Sequence, residues 1–166
     1  MKRIFFLFLL IGTACTSVEP VSNCAIEVSP DRWTALDQTQ LQKDIDIIDD
    51  YLFSNGITAV EHPSGVRYVV NQFGSGDNIP CLESLISITY EGRILGNGTL
   101  FETGSKPTAL ILNQRILGWQ IALLELNKGT KVTLYIPSGL GYGTQHSTLL
   151  PANSNLIFQI ELLDFR

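Results

Sequence analysis

Residues 131–143 read KVTLYIPSGLGYG, and the fold is decided there. The stretch 131–136 has the composition of a strand, and Pro137 followed by Gly139, Gly141 and Gly143 ends it abruptly. Residues 137–153 make a long loop of Gly, Ser, Thr and Pro, and 155–165 is rich enough in branched and apolar residues to be a closing strand. Upstream, 116–126 reads as a short helix bounded by Lys128-Gly129, and 109–112 as a further strand. Gly96-Asn97-Gly98 after Arg93-Ile94-Leu95 is a hairpin signal, and 85–90 alternates apolar with polar residues. Gly74-Ser75-Gly76-Asp77 is a turn, preceded by a strand at 66–70. One short helix laid on an antiparallel sheet of about five strands is an α+β arrangement.

The whole chain of 166 residues is long enough for one packed core and little more. It carries 11 Lys+Arg against 16 Asp+Glu, a net charge of -5. That balance offers nothing to replace the counterions around phosphates, so a nucleic-acid partner is not expected. With two His and three Cys, and no C-x-x-C or H-x-x-x-H spacing, no metal site is expected either.

The N-terminus reads as an address. Lys2 and Arg3 precede an apolar run over 4–11, too short to cross a bilayer core, and Gly12, Thr13 and Ala14 lead to Cys15. The layout resembles a bacterial lipoprotein signal, with Gly12 where Leu is usual; the alternative is an ordinary secretory signal cut at the same bond after Ala14. Cleavage would remove Lys2 and Arg3, moving the net charge from -5 to -7. The domain bounds are then 1–14 signal, 15–34 polar tether, 35–58 helical extension, and 59–166 the main domain. In the extension, Asp37 with Gln40 has capping-box spacing. Leu41, Ile45, Ile48 and Leu52 form one apolar stripe, and Asn55-Gly56 ends the helix. Asp44, Asp46, Asp49 and Asp50 lack the Gly and terminal Glu of a calcium loop and read as the helix's wet face. In an oxidising compartment Cys24 and Cys81 are an even pair, either bridged or both free.

No residue of 59–166 pairs a nucleophile with a local base. Instead aromatic and branched residues gather at strand ends and in loops. Ile88-Thr89-Tyr90-Glu91-Gly92, Leu100-Phe101-Glu102 and 113–119 (NQRILGW), with 134–143 and 157–163, resemble successive landmarks of the FKBP family of peptidyl-prolyl isomerases, in that family's order. The likeness runs from Val66 to the C-terminus, while the Asp-rich extension is similar to that of envelope lipoprotein members found in some gliding bacteria. The resemblance implies a twisted antiparallel sheet of five to six strands wrapped around one short helix, preceded here by an N-terminal helix. It implies a pocket floored by Trp119 and walled by Tyr90, Phe101 and Phe158, with Ile116 beside the floor. The Tyr142 hydroxyl and the Ile116 backbone N–H would meet the bound peptide, and Leu150 would close the rim.

Against the family pattern, Glu102 stands for Asp, Leu110 for an aromatic, and Arg115 for an apolar residue, while His146 lies in a loop one residue shorter than usual. Leu110, Arg115 and His146 would then shape substrate preference rather than chemistry. The implied activity is rotation about X-Pro bonds in exported proteins, with no cofactor, in a monomer anchored through Cys15 to the outer membrane and facing the periplasm. Its partners are proline-containing unfolded polypeptides and, through the lipid, the membrane. The alternative is a catalytically weak proline-segment-binding or chaperone module tethered to the cell envelope. A mere scaffold would need no aromatic lining.

Overall fold

The computed structural model describes residues 24–166. The signal at 1–14 and Cys15 lie outside the described residues, and no helix within them is long and apolar enough to cross a membrane. Two helices, α1 (Asp31–Thr34) and α2 (Gln38–Ser54), precede strands β1 (Val60–Glu61), β2 (Arg67–Gln72), β3 (Leu85–Ile94) and β4 (Leu100–Ile111). A 3-10 turn at Leu112–Gln114 leads into α3 (Leu117–Leu123), then β5 (Lys131–Ile136), a second 3-10 turn at Ser138–Leu140, and β6 (Leu156–Phe165). The strands form one six-stranded sheet in the order β1-β2-β5-β6-β3-β4, with every neighbouring pair antiparallel.

The sheet wraps α3, of which Leu117 alone is not buried. Ile121, Leu123 and Trp119 meet Ile86, Ile88, Leu134, Ile136, Phe158 and Leu162 in the main core. A helix this apolar all round is stable only when enclosed. Strand β5 is buried at every position after Lys131. Both of its faces are covered, since Leu134 faces the main core while Tyr135 packs with Ile48, Leu52 and Leu95 under α2. That double covering suppresses the alternation usual in antiparallel strands.

Four expectations are corrected. The Asp face of α2 is not all wet. Asp44 is 1% exposed, and its carboxylate accepts from Ser138 N–H (2.9 Å), Ser138 Oγ–H (2.5 Å) and Gln40 Nε2 (2.8 Å). A buried carboxylate persists only when hydrogen-bonded in this way. Asp49 takes a bidentate pair from the buried Arg67, at 2.9 and 3.1 Å. The helix therefore docks on the sheet through Asp44 and Asp49, leaving Asp46 and Asp50 exposed. The capping box is half formed: Asp37 accepts from Thr39 N–H and Gln40 N–H, but the Gln40 side chain turns to Asp44 instead of reciprocating.

The described part of the tether is also not free. Cys24 and Cys81 are disulfide-bonded with Cα atoms 5.4 Å apart, Val28 is buried in the main core, and Trp33 packs against it. We call residues 24–36 the strap. Finally, β4 extends over twelve residues where only its end was legible. Its middle, Ser105-Lys106-Pro107, is polar, exposed and bulged out between the pairs Ile88↔Thr108 and Tyr90↔Gly104, as an edge strand permits.

Candidate active site

The site lies between α3 and the β3–β4 side of the sheet. Trp119, 4% exposed, is its floor. Tyr90 meets the indole edge to face at 5.1 Å and Phe158 does so at 5.0 Å. Phe101 stands against Phe158 at 5.6 Å and against Tyr142 at 6.0 Å, again edge to face. These are the spacings that aromatic quadrupoles favour, so each ring fixes the next.

The sheet places two consecutive residues of β4 at this site, which a regular strand could not do because its side chains alternate. Pairing slips between Gly92↔Glu102 and Arg93↔Leu100, leaving Phe101 as the extra residue of a bulge. Phe101 therefore packs on Phe158 and Tyr142 while Glu102 bonds the tyrosines beside it. Opposite, position 92 has to be glycine, since a Cβ there would lie 2.5 Å from Phe158 Cε1 and 3.0 Å from Phe101 Cζ.

A cavity of about 120 Å³ opens here, lined by Tyr90, Glu102, Leu110, Gln114, Arg115, Ile116, Trp119 and Tyr142. Sites for drug-sized ligands run to about 300–1,000 Å³, so this one suits a single small ring. A wider hollow of 450 Å³ on the sheet is lined by Thr89, Glu91, Thr103, Lys131 and Glu161 among others. Its lining is polar and charged, without the convergent rings, and the smaller cavity is the better candidate.

The polar groups are few. Glu102 bridges both tyrosines, accepting from the Tyr90 hydroxyl at 3.0 Å and the Tyr142 hydroxyl at 2.8 Å. Burial, followed by the hydrogen bond from its own hydroxyl to Glu102, pushes the Tyr142 phenol far above its usual range. Tyr90 is raised by burial and then by the Glu102 charge. Arg115 opposes both shifts without cancelling them, so both phenols stay neutral donors at neutral pH. The buried Trp119 Nε1 and Arg115 Nε have no hydrogen-bond partner among the described residues. Ile116 caps α3 with extended backbone. The nearby backbone bonds run from Arg115 N–H to Leu112 and from Trp119 N–H to the Ile116 carbonyl, leaving Ile116 N–H out of both.

Of the residues singled out by sequence, Tyr90, Glu102, Leu110, Arg115, Ile116, Trp119 and Tyr142 line the cavity together. Phe101 and Phe158 are not in its lining. Phe158 is fully buried and supports the floor from behind. Leu150 is held in the core, its turn closed by Ser147, and does not form the rim. His146 is exposed in the long loop, away from the lining. Gln114 lines the cavity and was not foreseen; it sits in a 3-10 turn whose local sequence carries no periodic signal.

Residues 76–163 match the family profile described as FKBP-type peptidyl-prolyl cis-trans isomerase. The chain is 42% identical over 106 residues to the FKBP-type peptidyl-prolyl cis-trans isomerase FkpA of Buchnera aphidicola subsp. Schizaphis graminum, covering 62% of this chain and 42% of that protein. It is 35% identical over 107 residues to the peptidyl-prolyl cis-trans isomerase Mip of Coxiella burnetii, covering 62% of this chain and 46% of the relative. The chain thus spans less than half the length of these relatives. The crystal structure of FkpA from Escherichia coli superposes with a TM-score of 0.63 at 27% identity, over 78% of this chain and 64% of that one. A peptidyl-prolyl cis-trans isomerase from Pseudomonas syringae shares the fold, with a TM-score of 0.65 at 23% identity over 83% of this chain and 97% of that one.

Proposed function

We propose, from the premise that this chain belongs to the FKBP-type peptidyl-prolyl cis-trans isomerase family, that it catalyses rotation about X-Pro bonds in polypeptides held at the aromatic cavity. The observation that carries this reading is the Trp119 floor, braced edge to face by Tyr90 and Phe158 beneath a cavity sized for one ring.

Amide resonance sets a rotation barrier of about 18–20 kcal/mol, and free X-Pro bonds exchange over roughly tens to hundreds of seconds. No bond is made or broken, so the protein has only to bind the twisted amide better than either planar form. The cavity supports this by gripping the pyrrolidine ring on Trp119 while the preceding residue stays free to turn. Rotation breaks the amide conjugation, and the twisted carbonyl no longer shares the nitrogen lone pair. Two neutral donors beside the ring then stabilise it: the Ile116 N–H and, once it leaves Glu102, the Tyr142 hydroxyl. Glu102 fixes the Tyr90 ring and competes for the Tyr142 proton. Leu110 and Arg115 face the residue before proline and set preference there.

That same Tyr142–Glu102 bond favours a second reading, a proline-segment binder with weak turnover, because the donor is already engaged. In either case the sequence of 1–15 supports export and lipid attachment at Cys15, with clients that are exported chains in the cell envelope. A protease-free X-Pro peptide isomerisation assay tests the enzyme reading. The protein accelerates exchange, and Trp119→Leu and Tyr142→Phe each lower kcat/KM at least tenfold while peptide binding to Tyr142→Phe persists. A folded wild type that binds the peptide without accelerating exchange supports the module instead.

A further inference from the structure

The segment 113–116 carries Gln114, Arg115 and Ile116 to the cavity, and it is held from outside the isomerase domain by two routes that converge on it. The first starts at Gln120, which follows the floor residue Trp119 on α3 and is 1% exposed. Its Nε2 donates to the carbonyls of Asn113 (3.2 Å) and Arg115 (2.6 Å), and its Oε1 accepts from Arg32 Nη1 at 2.6 Å. The amide orientation is fixed by chemistry, because a guanidinium only donates and a carbonyl only accepts. Arg32 lies on α1, in the strap. The second route is backbone. Ala25 accepts from Leu82 N–H (2.8 Å), Leu82 accepts from Asn113 N–H (2.8 Å), and Ser84 accepts from Leu112 N–H (3.1 Å). Cys24 and Cys81 bond covalently beside it.

We propose that the N-terminal strap is a positioning element of the catalytic pocket, with Arg32 acting through Gln120 to hold the 113–116 wall in register with Trp119. Arg32 and Gln120 are positioning residues: neither lines the cavity. Without Arg32, the buried Gln120 carbonyl loses its charged donor, and leaving such a group unsatisfied is costly. The amide is then no longer pinned at its oxygen, and its hold on the two carbonyls that fix the backbone on either side of Gln114 loosens. The Ile116 N–H and the Arg115 side chain move with that backbone, and donors displaced by a fraction of an ångström no longer meet the twisted carbonyl. The inference rests on the isomerase reading for its kinetic consequence but not for its structural one.

Three variants of the whole chain test it: Arg32→Met, Arg32→Lys and Gln120→Glu, each followed by X-Pro isomerisation kinetics and by the backbone amide NMR signals of 114–116. Arg32→Met keeps the aliphatic stem and removes the donor. It is expected to lower kcat/KM about two- to tenfold, the worth of one net hydrogen bond, with shifted or broadened amides at 114–116. Arg32→Lys, which still donates a charged hydrogen bond, recovers most of the loss. Gln120→Glu retains the contact with Arg32 but cannot donate to either carbonyl, so the strap stays docked while the wall signals and kcat/KM change as in Arg32→Met. A strap that merely stabilises the fold would leave Arg32→Met kinetics and the 114–116 amides at wild type once folded protein is counted. Wild-type kinetics and unshifted amides in Arg32→Met overturn the proposal, whatever Gln120→Glu does. An inactive wild type whose variants still shift the wall amides contradicts the isomerase reading and leaves the positioning intact.

Discussion

Shortening one side chain by a methylene is expected to make this site bind better. Glu102 spans two phenols, taking Tyr90 on one oxygen at 3.0 Å and Tyr142 on the other at 2.8 Å. Aspartate at this position would have about 1.5 Å less reach and would keep only one of them, the Tyr90 hydroxyl across the strand pair. A hydrogen bond to a charged acceptor contributes about 1.5–3 kcal/mol net, and the half-exposed setting of Glu102 and Tyr142 puts this one near or below the low end, about 1 kcal/mol. A substrate carbonyl that has to displace Glu102 from Tyr142 loses that amount, which is about fivefold in affinity. Glu102→Asp therefore lowers KM for X-Pro peptides by about fivefold in a protease-free isomerisation assay, and kcat/KM rises correspondingly. In a Tyr142→Phe background the same substitution has no such effect, since there is no hydroxyl to release; the double-mutant cycle isolates the coupling. An unchanged or raised KM in Glu102→Asp, or the same gain with and without the Tyr142 hydroxyl, refutes the competition.

The packing and the titrations set three other outcomes. Reducing the Cys24–Cys81 bridge with a dithiol releases a 57-residue separation and lowers unfolding free energy by about 4 kcal/mol in the chain-entropy account, read by urea denaturation with and without reductant. Gly92→Ala drives a Cβ to 2.5 Å from the fully buried Phe158 ring. It costs about 1–3 kcal/mol of overpacking and perturbs the aromatic signals of Phe101 and Phe158. The Tyr68 hydroxyl donates to Glu125 at 2.6 Å, and burial with that contact pushes its phenol up to about 12 from 10.0. Above pH 10 the unfolded chain sheds this proton while the folded one keeps it, so the stability is fully present below pH 10 and declines toward pH 12. Phenolate absorbance should show the late titration, and Tyr68→Phe should remove this part of the alkaline limb.

Most of the fold was legible because burial and local pattern agree in it. The strand at 131–136, the closing strand, and the helix around Trp119 are apolar elements bounded by Gly and Pro, and the structure encloses them. What escaped is set by tertiary placement. The middle of β4 is polar because it is a sheet edge, so its sequence resembles a loop. Asp44 looks like any surface acid, and only the arrival of Ser138 and Asn155 from the far end of the chain makes its burial tolerable. The polar stretch through Arg32 lacks periodicity, and its docking depends on Val28, on the disulfide and on one guanidinium reaching Gln120. At the site, the rings that converge were foreseen through the family resemblance. The commitment of the Tyr142 hydroxyl to Glu102 was not, because it depends on a bulge at Phe101 that places neighbouring side chains on one site.

Exchange spectroscopy of an X-Pro peptide, with the protein present at a small fraction of the peptide concentration, tests the central claim most directly. A catalyst that favours the twisted amide raises the cis-to-trans and trans-to-cis rates together, leaves the cis:trans ratio unchanged, and loses this effect in Trp119→Leu. Exchange that stays at the uncatalysed rate with folded protein present, or a ratio that shifts only in proportion to protein added, contradicts it.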